Sequence, residues 1–156
     1  MRNLRALGVL KPLALEEFGL DKVRMAGRYM IGEAARNTTL LCRFVPWDYG
    51  QVIEIIRAAT GWSDYSLYEW MQSGERALNM ARVFNVREGL SADDDWLPAR
   101  SFEPAANGPL QNRAVEAGPL REAIHAYYGI MGWDPDTGVP TRGKLQQLGL
   151  EWAELL

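Results

Sequence analysis

Apolar residues recur at helical spacing through most of the chain. Between Asp21 and Ala35, the residues Val23, Met25, Ala26, Tyr29 and Met30 form a moderate apolar stripe. The next segment carries a clearer signal. Asp48 predicts an N-cap, and Gln51 three residues later completes a D-x-x-Q capping box. Val52, Ile53, Ile55, Ile56 and Ala59 then fall on one helical face, and Gly61 supplies the stop. A further helix is expected to start at Ser63 or Asp64. Its stripe of Leu67, Met71, Gly74, Leu78 and Ala81 runs in alternating steps of four and three. Gly74 lies on that stripe at a cost in helix propensity, which predicts a close approach of a partner helix.

From Asn85 to Asn112 the periodicity is lost. Gly89, Pro98, Pro104, Gly108 and Pro109 interrupt the stretch, which reads as a long irregular crossing with one short helical turn after Ser91. The apolar residues in or beside it (Val83, Phe84, Val86, Leu90, Trp96, Leu97 and Phe102) predict that it packs on something. Pro119 marks the start of a helix carrying Leu120, Ile124, Tyr127, Tyr128 and Met131, with Gly132 as its stop. Asp134, Pro135, Asp136 and Gly138 are turn residues. Thr141 caps a last helix, and Gly149 with Leu145 and Leu150 has the signature of a Schellman stop. No strand alternation of useful length, no repeat and no low-complexity segment is present. The expected class is all-α: one helical domain of about five to seven helices with a long irregular central loop.

Composition narrows the function classes. At 156 residues the chain suits one domain with a real core. Seventeen basic and 20 acidic side chains leave a net charge of −3, which argues against a nucleic-acid partner. No apolar run approaches the roughly 20 residues that span a bilayer, so no membrane partner is expected. The first twelve residues lack a small-residue cleavage pattern, so a signal peptide is not expected either. One cysteine rules out an internal disulfide and suits a reducing, cytoplasmic compartment. With a single histidine as well, a closed Cys/His zinc site is not available from this chain.

The chemistry-bearing residues are few. Cys42, in Leu40-Leu41-Cys42-Arg43-Phe44, is either a buried apolar thiol or one ligand of a site completed elsewhere. His125 reads as a core or half-exposed packing residue, without a second ligand at a suitable spacing. Asp93, Asp94 and Asp95 read as a helix-start or solvated run, because consecutive carboxylates point in different directions. Six tryptophans and six tyrosines are expected mostly in the core, with some left to pack against a neighbouring domain. Glycine-rich phosphate loops and nucleophile–histidine constellations are absent.

Several segments resemble one family. Arg82-Val83-Phe84-Asn85-Val86-Arg87-Glu88-Gly89 resembles the R-x-F-N-x-R-E-G stretch of the aldehyde ferredoxin oxidoreductases. Asp94-Asp95-Trp96-Leu97-Pro98-Ala99-Arg100 resembles that family's D-D-x-L-P-x-R, and Tyr127-Tyr128 through Met131-Gly132-Trp133-Asp134 its Y-Y-x-x-x-G-W-D. Gly138-Val139-Pro140-Thr141, Lys144-Leu145 and Leu148-Gly149-Leu150 are similar to its carboxy-terminal G-x-P-T…K-L…L-G-L. These matches keep the family's order and cover about Val23 to Trp152.

The resemblance implies a tungsten or molybdenum bis-pterin beside a 4Fe–4S cluster. It implies oxidation of aldehydes to carboxylic acids, with ferredoxin as electron acceptor. Three cluster cysteines belong to a C-x-x-C-x-x-x-C motif and much of the pterin site to an amino-terminal domain, and this chain contains neither. The fourth cysteine belongs to a D-x-x-x-x-C motif, which Asn37-Thr38-Thr39-Leu40-Leu41-Cys42 resembles. Cys42 is thereby the implied cluster ligand, and Asn37 and Leu41 are the implied pterin contacts. Asn37 departs from the family's aspartate, since an amide both donates and accepts where a carboxylate only accepts. The expectation is a carboxy-terminal helical domain over residues 1–156, with 1–20 as an amino-terminal extension. It would partner the missing pterin and cluster-cysteine segments and is not expected to be active or to hold a stoichiometric cofactor alone. The alternative is a stand-alone helical binding or structural module that kept the fold and lost the redox site. Apolar residues around Cys42 would form an exposed patch, with homo-oligomers as a consequence.

Overall fold

Caps and glycine stops set the helix boundaries. The computed structural model describes residues 2–11, 13–14, 17–109 and 111–154. Among them are six α-helices: α1 Arg2–Ala6, α2 Leu20–Thr38, α3 Tyr49–Thr60, α4 Leu67–Arg87, α5 Ala117–Met131 and α6 Arg142–Gln147. No strand forms among the described residues, only isolated bridges between Ala105 and Gln111 and between Trp133 and Pro140. The all-α expectation holds.

The Asp48–Gln51 capping box closes in both directions at the start of α3, and Gly61 ends that helix in the left-handed region at φ 74°. At the end of α6 the Leu150 N–H donates to the Leu145 carbonyl (2.8 Å) and the Gly149 N–H to Gln146 (3.2 Å), the two bonds of a Schellman stop. The start of α4 is a correction. Its cap is Ser66, paired with Glu69 in a second capping box, and not Ser63 or Asp64. Ser63 spends its hydroxyl on the Asp64 carboxylate, inside the turn that brings the Trp62 and Tyr65 rings within 5.9 Å. Two further boundaries move: α2 continues past Ala35 to Thr38, and α4 continues past Asn85 to Arg87.

Helix α2 is the spine, packed on α4 along one side and on α5 along another. Gly74 of α4 makes the first contact possible. A Cβ there would collide with the Ile31 carbonyl oxygen and stand 2.6 Å from the Ala35 nitrogen, so the two backbones meet directly. Around that crossing Ala35, Tyr49, Val52, Ile53 and Trp70 form one buried cluster. Tyr128, Met131 and Trp133 form a second, and Val83 with Leu145, Leu148, Leu150 and Ala153 a third. The aromatic expectation is corrected in part. Trp70, Trp133, Tyr49 and Tyr128 are buried, but Trp62, Tyr68 and Trp152 are well exposed and Trp47 and Trp96 partly so.

The central crossing is held at one point by charge. Arg82, only 5% exposed, donates from Nε to the Gly138 carbonyl (2.8 Å) and from Nη1 to Asp95 (2.7 Å). Its guanidinium lies over the Tyr128 and Trp133 rings, and Tyr128 donates its hydroxyl proton to the same Asp95 carboxylate. Trp133 in turn donates its indole N–H to the buried Asn79 (2.8 Å). The acidic run therefore divides its work. Asp94 completes a capping box with Ser91 on the short 3-10 turn Ala92–Asp94, and Asp95 pairs with Arg82. The rest of the crossing packs in part. Trp96 stacks on Phe102 at 5.3 Å with Arg121 above it, while Phe84 is 62% exposed.

Two stability outcomes follow. Gly74→Ala should destabilise by about 1–3 kcal/mol, the usual range for overpacking, even though alanine favours a helix. Gly129→Ala in α5, whose added Cβ meets nothing within 4 Å, should be neutral or stabilising. Chemical denaturation of the two variants checks the contrast; equal effects would contradict a backbone contact at Gly74. The second outcome concerns alkaline pH. Burial first, and for Tyr128 the bond to Asp95 next, push Tyr127 and Tyr128 up to about 12 from the usual 10. The unfolded chain then loses these protons first, so the associated stability is present below pH 10 and is lost as pH rises towards 12. Each tyrosine should remove about 1.4 kcal/mol per pH unit across that window. Denaturation midpoints at pH 9–11.5 should fall steeply for the wild type and less steeply for Tyr128→Phe.

Candidate functional site

Helix α2 ends in an unusual turn. The Thr38 and Thr39 hydroxyls bond back to the carbonyls of Ala35 and Arg36 (2.7 Å each), which leaves Thr39 as the cap. Leu40 follows at φ 57° and bonds its N–H to the Asn37 carbonyl at 3.0 Å. That left-handed conformation suits glycine, and for leucine it costs roughly 1–2 kcal/mol. Leu40 is also 93% exposed, so neither backbone preference nor burial accounts for a leucine here. Such outliers gather at functional sites.

The turn delivers the next residues outward. Cys42 is exposed, as is Phe44 at 92%. Leu41 is half-buried and packs against the Tyr49–Trp70 cluster, so it is not part of an exposed patch as the sequence suggested. Among the described residues, the backbone N–H groups of Leu41 and Cys42 find no hydrogen-bond acceptor. Asn37 is exposed on the last turn of α2, and among the described residues its side-chain amide has no hydrogen-bond partner. The three residues singled out from the sequence thus fall on one helix terminus and the four residues after it.

Beside this turn lies a cleft of about 420 Å³ lined by Tyr29, Glu33, Arg36, Arg43 and Trp47 among others. Arg43 donates to the Tyr29 hydroxyl and lies 3.4 Å from Glu33. Arg36 is 4% exposed, over the Tyr49 ring, and among the described residues its Nε and Nη1 find no hydrogen-bond partner, with the Glu33 carboxylate 3.9 Å away. Sequence reading did not single out Arg36. A cationic residue on the buried side of an otherwise apolar stripe was the available signal.

The donors present fit one corner of a metal–sulfur site and no more. One exposed thiol can serve as one of the four thiolates that a 4Fe–4S cluster takes. No group of three or more Cys, His, Asp or Glu able to hold a metal occurs among the described residues. Free N–H groups beside the thiol and an uncommitted amide at Asn37 suit the acceptors of a polar cofactor. His125 is exposed on α5, a correction to its expected packing role, and faces a small cleft with Asp93, Asp136 and Arg121. No helix among the described residues is long and apolar enough to cross a membrane.

Comparison with known proteins bears on this geometry. Residues 6–150 match the family model for aldehyde ferredoxin oxidoreductase, domains 2 and 3. The tungsten-containing aldehyde ferredoxin oxidoreductase of Pyrococcus furiosus is 34% identical over 134 residues, covering 83% of this chain and 21% of that protein. The Thermococcus kodakarensis enzyme of the same name is 34% identical over 134 residues, again 83% and 21%. The aliphatic sulfonate oxidoreductase, WOR-like subunit, of Pyrococcus furiosus is 26% identical over 125 residues, 76% of this chain and 20% of that one. The chain thus spans about a fifth of the length of these relatives. A helical fold with its capped boundaries, the motif order and this match over nearly the whole chain agree: the protein belongs to the aldehyde ferredoxin oxidoreductase family.

Proposed function

We propose that residues 1–156 act as the C-terminal helical domain of a tungsten- or molybdenum-pterin oxidoreductase that oxidises aldehydes to carboxylic acids and passes electrons to ferredoxin. In that assembly Cys42 donates the fourth thiolate of a 4Fe–4S cluster, while the Asn37 side chain and the Leu41 backbone contact the pterin. The metal and cluster supply the redox chemistry. This chain supplies position: the rigid end of α2 fixes Asn37, the left-handed Leu40 turns the backbone, and Cys42 leaves the helix pack with its thiol accessible. The observation that carries the reading is the accessibility of Cys42 beside unpartnered N–H groups. A ligand thiol has to reach beyond its own domain, whereas a structural cysteine is buried. The protein is expected in the cytoplasm, with residues 1–20 as an extension of the domain.

One residue favours a second reading, a stand-alone module that retains the fold without redox chemistry. Asn37 stands where the family resemblance calls for aspartate, and an amide makes a weaker anchor for pterin N–H donors than a carboxylate.

The folded chain should react completely at Cys42 with a small alkylating reagent, and iron and sulfide analysis should find far less than one cluster per monomer. Co-expression with a family segment carrying C-x-x-C-x-x-x-C should yield a 4Fe–4S electron paramagnetic resonance signal that Cys42→Ser abolishes or shifts. A protected thiol in a proven monomer, or a cluster signal indifferent to Cys42→Ser, would sink the ligand role. Leu40→Gly should raise stability by roughly 0.5–1 kcal/mol, because relief of the left-handed strain exceeds the entropy cost of glycine. A destabilised variant would show that the leucine side chain packs productively.

A further inference from the structure

Two cavities lie away from the Cys42 turn. One, of about 520 Å³, opens beside Arg82 between α2, α4 and α5. The other, of about 610 Å³, is walled by both limbs of a surface loop, with Ala105 and Ala106 on one limb and Arg113 and Ala114 on the other. The base of that loop is pinned. The Ala105 N–H donates to the Arg113 carbonyl (3.0 Å) and the Asn112 N–H to the Ala105 carbonyl (2.8 Å). The tip is not pinned in the same way. Asn107 and Gly108 are exposed, and the Gly108 carbonyl accepts from the Gln111 N–H at 3.0 Å. Among the described residues, the Gly108 N–H finds no acceptor and the Asn107 side-chain amide has no hydrogen-bond partner.

An asparagine can react with its own backbone, because the amide nitrogen of the next residue lies close to its side-chain carbonyl carbon. Three features ordinarily hold that reaction back: a side chain on the next residue, an N–H locked in regular structure, and a side-chain amide fixed by hydrogen bonds. None of them operates at Asn107. Gly108 has no Cβ, adopts φ 84° and has open space around it. The other asparagines are guarded. Asn37, Asn79 and Asn85 lie within α2 and α4, followed by Thr38, Met80 and Val86, whose amides belong to the same helices. The Asn79 side chain is also buried, donating to the Glu75 carbonyl and accepting from Trp133. Asn112 is followed by the long side chain of Arg113.

We infer that Asn107 is a self-modification site, deamidating through a cyclic imide with Gly108 to aspartate and isoaspartate. The Gly108 amide gives its proton to solvent base, and its nitrogen bonds to Asn107 Cγ. The Cγ–Nδ2 bond breaks and ammonia leaves with a proton from water. A second water opens the imide. Cleavage between Cγ and the ring nitrogen gives aspartate, whereas cleavage at the main-chain carbonyl gives isoaspartate and lengthens the backbone by one methylene. Nothing is oxidised or reduced. Both products carry a carboxylate that is ionised at neutral pH. The cavity is lined by Arg100 and Arg113 against Glu103 and Glu116, so one further carboxylate on its loop tips a balanced rim to net negative. The inference is independent of the redox reading, since no residue of the Asn37–Cys42 turn takes part.

Peptide mapping by mass spectrometry, with fragmentation that separates aspartate from isoaspartate, tests it on the intact 156-residue chain aged at pH 7 and pH 9. Asn107 should convert several-fold faster than Asn37, Asn85 or Asn112, with isoaspartate as the larger product, and faster at pH 9. In concentrated urea the helix-borne asparagines should accelerate while Asn107 changes little, because its tip is already free in the fold. Gly108→Ala should slow the conversion several-fold and Asn107→Gln should abolish the isoaspartate signal; the second variant keeps the glycine and serves where the first does not fold by circular dichroism. Conversion at Asn107 no faster than at Asn112, strong protection in the folded chain relative to urea, or a rate indifferent to pH would each overturn the assignment.

Discussion

A single buried guanidinium holds together what the helices alone do not. Arg82 lies on α4, yet its partners come from the central crossing (Asp95), from α5 (Tyr128) and from the turn before α6 (Gly138). A buried charge is costly unless paired and hydrogen-bonded, so these four segments are fixed relative to one another by the need to satisfy it. The turn conforms to this requirement: Gly138 sits at φ 67°, and a Cβ there would collide with Arg82 Nη2. Asp134 organises the same turn by accepting from the Thr137 N–H (2.8 Å) and hydroxyl (2.7 Å). A non-local polar hub of this kind gives direction to a chain whose middle, among the described residues, forms only short 3-10 turns.

The spine α2 links that hub to the candidate site. Its flank beside α5 borders the cavity around Arg82, its middle meets Gly74 of α4 backbone to backbone, and its end throws Leu40 into the left-handed region. Close packing at Gly74 leaves α2 little freedom to slide, so the position of Asn37 and the direction of the chain toward Cys42 are set by a contact about half a turn away, at Ala35. Rigid support behind an exposed, strained turn is what positioning a ligand from a separate domain requires. The chain belongs to the aldehyde ferredoxin oxidoreductase family and covers about a fifth of the length of its relatives.

Local signals were legible wherever one residue type has one strong physical use. Asp48 with Gln51, Thr141, and glycines 61, 132 and 149 marked helix ends correctly because caps and left-handed stops involve only neighbouring backbone. Ser63 and Asp64 misled because every capping residue before a helix looks alike until the box partner is weighed; Glu69 selects Ser66. The family motifs identified Arg82, Asp95 and Tyr128 as residues of interest without disclosing that they touch.

By itself, the sequence determined the all-α class, most helix boundaries, the close approach at Gly74 and the isolation of Cys42 as a lone thiol, since each follows from spacing, conformational preference or a count. Only the tertiary structure decided that Asp95 turns inward to Arg82 while Asp94 caps a turn, that Leu41 is half-buried beside an exposed Cys42, that His125 faces solvent, and that Tyr127 and Asn85 border one cavity. Those outcomes depend on which distant segment arrives opposite each side chain. The geometry of burial and charge compensation sets that, and no periodicity along the chain encodes it.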